Sequence, residues 1–115
     1  MHPFHNAAAT RNTGPMIVVR FKMQSRPDKV DEVRSLLTSV ALASQSVEGV
    51  VSFDIGQDVT DSNSFVATEV FDDREALDRQ ELLPEVAAAM AAFEEALAAE
   101  PEATIFNVAS AEPYE

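Results

Sequence analysis

The sequence contains no cysteine, which excludes disulfides, thiolate nucleophiles and Cys-ligated metals. It has only two histidines, His2 and His5. Both lie in the first fifteen residues, where a lone pair on a tail is too small a donor set for a structural metal. Glycine is scarce and forms no nucleotide-cradling motif. The expectation is therefore of no metal and no cofactor. No apolar run approaches the ~20 residues of a membrane-spanning helix, so a cytoplasmic protein with no membrane partner is expected. Basic residues are few, eight against 20 acidic ones, for a net charge of −12. Without a basic stripe to displace counterions, nucleic acid is excluded as a partner, and anionic membrane surfaces likewise. Charge of this sign fits an acidic protein kept dispersed by self-repulsion, or one from a high-salt cytoplasm where screening makes such charge tolerable.

At 115 residues the chain has the length of one domain. Residues 1–15 hold no acid, unlike everything after them, and lack the apolar segment of a secretory signal. They are expected to be a disordered leader, followed by one folded domain over 16–110 and a mobile tail over 111–115.

The stretch from Gly49 to Asp73 organises the rest. Val51, Phe53 and Ile55 alternate with Val50, Ser52 and Asp54, and Phe65, Ala67, Glu69 and Phe71 alternate with Val66, Thr68 and Val70. A period of two predicts two strands. The polar run from Gln57 to Ser64 between them has the composition of a hairpin loop. Before it, Met16 to Met23 reads as a strand with Ile17, Val19, Phe21 and Met23 on one face. Pro27 then suits the start of a helix that carries Val30, Val33, Leu37, Val40 and Ala41 at helical spacing. After the hairpin, Asp72 and Glu75 have capping-box spacing. Pro84 kinks one helix or opens a second, and Val86, Met90, Phe93 and Leu97 form a buried stripe. Ala103 to Ala109 reads as a last strand.

Strand, helix, strand, strand, helix, strand is the split βαβ order of the ferredoxin-like α+β fold, a four-stranded antiparallel sheet with both helices on one face. The second strand faces carry few charges (Val50, Ser52, Val66, Thr68, Val70, Ile105, Asn107). Such a face is expected to be covered by a second copy in a homodimer.

Four segments carry a family likeness: Met16 to Leu37 with its Pro27-Asp28-Lys29-Val30 helix start, Glu48 to Asp54, Asn63 to Phe71, and Asp73 to Asp78. In these segments the chain resembles the antibiotic biosynthesis monooxygenase family, dimeric α+β barrels. The resemblance implies sheet-to-sheet pairing and, for some members, oxidation of quinols or polycyclic aromatics without metal or flavin. The chain departs from the family where histidines are frequent: Arg79 and Gln80 follow Ala76-Leu77-Asp78, Glu85 follows Pro84, and Phe71 replaces the frequent tryptophan. The haem-degrading branch is therefore disfavoured.

A cofactor-free oxygenase needs a dry pocket, a base and a group to steady an oxyanion. Glu69 is the candidate base, because a carboxylate among Phe65, Phe71 and aliphatic neighbours should hold its proton toward neutrality. Gln80 and Asn107 are candidates for binding substrate oxygens. Arg20 is a candidate anchor for a ligand oxygen, and Phe53, Phe65 and Phe71 are candidate walls for a small aromatic or apolar ligand. The structural alternative for Glu69 is an ion pair with Arg20 or Arg74. A cavity of ~300 Å³ or more with Glu69 pointing into it would favour an enzyme. A filled core with Glu69 in a salt bridge would favour a non-catalytic ligand-binding or stress-response dimer.

Overall fold

The structure, a computed structural model, describes residues 15–115. The leader up to residue 14, with His2 and His5, lies outside the described residues. The order is β1 (Ile17–Gln24), a 3₁₀ turn (Pro27–Lys29), α1 (Val30–Ser44), β2 (Val50–Asp58), β3 (Asp61–Phe71), α2 (Arg74–Glu81), α3 (Pro84–Ala96) and β4 (Glu102–Asn107). The four strands form one sheet in the order β2-β3-β1-β4, antiparallel throughout. This is the ferredoxin-like α+β fold.

The alternation in β1 works as expected, with Ile17, Val19 and Met23 buried and Arg20 exposed. Pro27 occupies the start of the 3₁₀ turn, where its missing N–H costs nothing. Asp31 and Glu32 follow in the first turn of α1, on the side of the helix dipole that favours acids. Val33, Leu37 and Val40 bury the α1 stripe against the sheet.

The α1–β2 link turns at Gly49, the one described residue with a positive φ, +90°. Glycine is needed there for a second reason. A Cβ at this position would lie 2.6 Å from Ala76 Cβ and 2.8 Å from Arg79 Nη2. The close approach is used: Arg79 Nη2 donates to Glu48 O at 2.9 Å, and Asp72 N donates to Gly49 O at 2.8 Å.

The central hairpin differs from expectation in two ways. The polar run is not a loop, because β2 continues to Asp58 and β3 already starts at Asp61, leaving Val59-Thr60 as the turn. Its polar side chains bond locally and to β1: Asp58 Oδ1 accepts from Thr60 N at 2.8 Å, and Gln24 Nε2 donates to Asp61 Oδ2 at 3.1 Å. These bonds let a polar sequence stay in the ladder. The second difference is a register shift between Val50 and Ser52, which pair with Phe71 and Val70. The extra residue, Val51, is 50% exposed, while Val50 joins the core with Phe53. A bulge inverts the alternation on one side of itself.

Helix α2 is capped by Asp73, not Asp72. Asp73 is extended and its carboxylate accepts from Ala76 N at 2.9 Å, while the Asp72 N–H is already committed to Gly49. Pro84 opens a separate helix, α3. Of the stripe expected there, Phe93 is buried and Val86 and Leu97 pack against the core, but Met90 is 48% exposed, and Ala89 and Ala96 are buried beside Phe93. Six of the thirteen residues of α3 are alanine, and these small residues admit close packing on α1. Strand β4 is shorter than expected, and its faces are reversed. Ile105 pairs with Val19 and Asn107 with Ile17, so both stand on the helix side. Phe106, 49% exposed, stands on the open side with Val18, Val66 and Val70. Beyond the strands, the end of α3 is tied to the end of β1 by Arg26 N to Ala96 O (2.9 Å) and Ala98 N to Gln24 O (2.8 Å).

Candidate ligand cavity

Between the helix side of the sheet and the helices lies a cavity of about 170 Å³. Its walls are apolar, among them Phe21, Phe53 and Phe93, with three polar exceptions, Glu69, Gln80 and Glu81. The exposed members of the lining, Glu81, Met90, Ala103 and Ile105, mark its mouth. The cavity falls short of the ~300 Å³ at which ligand pockets ordinarily begin, the size expected above for an enzyme.

Strand alternation puts Glu69 here. Phe65, Ala67, Glu69 and Phe71 share the core face of β3, with Val19 of β1 and Phe53 of β2 opposite Glu69. Glu69 is 7% exposed. Among the described residues its carboxyl group makes no hydrogen bond and no ion pair. Burial is the main cause that pushes its pKa up, and the Glu81 carboxylate adds to it; the value reached is about 7. Ion pairing with Arg20 is ruled out by register. Val19 faces Glu69, so Arg20 pairs with Thr68 and stands on the opposite side of the sheet. Arg74, exposed at the start of α2, makes no ion pair with Glu69 either.

Gln80 reaches the same cavity from α2. It is 4% exposed and its Nε2 donates to Ser44 Oγ at 2.9 Å, joining α2 to the end of α1. Among the described residues its amide oxygen has no partner.

Glu69, Gln80 and Phe53 are thus brought together. The other candidate residues are not. Arg20 is on the open face. Phe65 is buried further along β3, with the Arg34 guanidinium 5.9 Å from its ring centre; four residues of strand separate it from Glu69, about 13 Å. Phe71 is fully buried in the core beyond the cavity. Asn107 borders a separate shallow groove with Pro15, Met16 and Arg74. Glu81 and Met90 were not singled out from sequence. Glu81 is the last residue of its helix, and Met90 reads as core from its spacing alone. No group of three or more His, Cys, Asp or Glu able to hold a metal occurs among the described residues, and none of their helices is long and apolar enough to cross a membrane.

No curated protein sequence matches the chain significantly. Solved structures do. A candidate antibiotic biosynthesis monooxygenase from Deinococcus radiodurans superposes with a TM-score of 0.78 at 19% identity, covering 86% of this chain and 98% of that one. A conserved protein from Methanosarcina mazei Go1 gives 0.77 at 23% identity, covering 84% and 96%. A candidate antibiotic biosynthesis monooxygenase from Chloroflexus aurantiacus J-10-fl is 29% identical over 79% of this chain and 92% of its own, with a TM-score of 0.64. The sequence pattern of the family described as antibiotic biosynthesis monooxygenase matches residues 16–92, which hold β1 to β3, α2 and most of α3. On that match, with the fold in agreement, the chain belongs to the antibiotic biosynthesis monooxygenase family.

Proposed function

We propose that the protein is a cofactor-independent monooxygenase that oxidises an electron-rich aromatic, quinol-like or polycyclic, with O₂. The observation that carries this reading is the unpaired Glu69 carboxyl group in an apolar cavity. A group with a pKa near 7 is present in both forms at neutral pH and exchanges protons readily. Ionised Glu69 takes the proton of a substrate hydroxyl. The phenolate passes an electron to O₂, and recombination forms a ring C–O bond. Cleavage of the O–O bond leaves one oxygen on the ring and releases the other as water, to which Glu69 returns its proton. For a benzenediol the balance is C₆H₆O₂ + O₂ → C₆H₄O₃ + H₂O. Four electrons leave the ring and four enter dioxygen, so no external reductant is needed. The second N–H of Gln80 is available to steady the developing oxyanion.

The small cavity and the absence of the family's frequent histidines favour a second reading, a dimer that binds a small apolar ligand without turning it over. Oxygen uptake separates the two. A panel of hydroquinones and anthrone-like phenols is compared between wild type, Glu69→Gln and a protein-free blank in molar salt. Uptake above blank that falls at least tenfold in the variant supports the oxygenase with Glu69 as base. Equal uptake in both proteins removes Glu69 from the mechanism, and no uptake favours the ligand-binding dimer.

The same reading includes a homodimer closed through the open sheet face, where Phe106, Val18, Val66 and Val70 offer apolar area. Light scattering at micromolar concentration, in high and low salt, tests it. A monomer mass in both sinks it.

A further inference from the structure

The cavity's size and its three polar groups restrict what it takes, beyond the general class of aromatic proposed above and resting on that reading. An apolar cavity of about 150 Å³ holds one benzene ring. At about 170 Å³, this one holds a single ring with small substituents, and each further ring must stand out of the mouth into water. Its buried polar groups specify what the ring carries. Glu69 and Gln80 are both more than nine-tenths buried. Among the described residues the Glu69 carboxyl group and the Gln80 amide oxygen have no partner. Unpaired polar groups in an apolar site are costly until a ligand meets them, and a ring bearing hydroxyl groups does so. The third polar group, Glu81, is exposed at the mouth. Its charge, close enough to act on Glu69, opposes any anion entering the cavity.

We propose that the cavity selects uncharged single-ring phenols or hydroquinones, seating them on Phe53 with their oxygens toward Glu69 and Gln80, and that Glu81 at the mouth turns away their carboxylated analogues. This selectivity is a property of binding and does not depend on whether turnover follows.

The test is therefore anaerobic titration calorimetry at about neutral pH, with the full-length protein and three probes: methylhydroquinone, 2,5-dihydroxybenzoate and anthrone. The Met90 and Ile105 methyl resonances report whether binding is at the cavity. Methylhydroquinone is expected to bind there at least tenfold more tightly than the acid and more tightly than anthrone. Glu81→Gln is expected to improve binding of the acid at least threefold relative to methylhydroquinone. Glu95→Gln, an equal charge change at a residue that does not line the cavity, should move neither. Any other order of the three probes, no binding of methylhydroquinone, or an equal gain from Glu95→Gln overturns the proposal. Correct selectivity without oxygen uptake would instead leave the proposal standing and sink only the oxygenase.

Discussion

Replacing Glu69 with Gln removes one titration and leaves a side chain of nearly the same shape. The folded protein holds the Glu69 proton up to about pH 7, whereas the ordinary value is 4.5. Protonation therefore stabilises the fold. The contribution is fully present below pH 4.5 and is lost as pH rises through about 7. The gap between the two values corresponds to about 3 kcal/mol, since each tenfold change in proton affinity is worth about 1.4 kcal/mol. Glu69→Gln has no such proton to lose. Near pH 5 the two proteins should be similarly stable, and the variant should gain on the wild type by about 2.5 kcal/mol between about pH 5 and about pH 8.5. Urea unfolding across that range, at fixed high salt, measures this. Subtracting the two curves cancels the many surface acids, which titrate alike in both proteins. A difference curve that is flat within about 0.5 kcal/mol, or that levels off already below about pH 6, would refute the argument that burial without a partner sets the state of Glu69.

Three further outcomes follow from the fold. Gly49→Ala, which combines a positive φ with a Cβ 2.6 Å from Ala76 Cβ, should destabilise by about 2–4 kcal/mol in denaturant unfolding. Asp73→Ala should cost about 1 kcal/mol through the lost helix cap, while Asp72→Ala, which caps nothing, should cost clearly less. At the bulge, Val50→Ala should cost about 1 kcal/mol, whereas Val51→Ala should stay within about 0.5 kcal/mol. A reversed order at these two valines would place the register shift elsewhere.

Much of this could be read from residues alone, and the gaps have physical causes. In β3, buried and more exposed residues alternate without interruption from Phe65 to Phe71, with a phenylalanine at each end of the buried set. The core face, and Glu69 on it, was therefore legible. In β2 the same reasoning fails at Val51, because one unpaired residue inverts the alternation and valines stand on both sides of it. In β4 the two faces carry Ile105 and Phe106. Both are apolar, and only pairing with Val19 and Val18 tells inside from outside. In α3 only Met90 departs from the expected stripe, because the alanines that are buried instead, Ala89 and Ala96, read as neither face. Arg20 and Asn107 stand away from the cavity because of strand register, which composition does not carry. Gln80 came from a family likeness, and its bond to Ser44, 36 residues away, has no local signature. Glu81 was missed because a terminal glutamate on an exposed helix end looks like any other surface acid.

The pairing of β1 with β4 has a mechanical consequence. Ile17 opposite Asn107, with Val108 N bonded to Met16 O at 3.0 Å, sets both ends of the domain side by side at one end of two antiparallel strands. A pull applied at Met16 and Val108 therefore loads the ladder one rung at a time, as a zipper, instead of shearing all its hydrogen bonds together. The edge strand β4 should peel away at low force. The ties between Gln24 and Ala98 and between Arg26 and Ala96 stand at the far end of that ladder, so the crack should halt there, with β1, β2 and β3 still paired around Glu69.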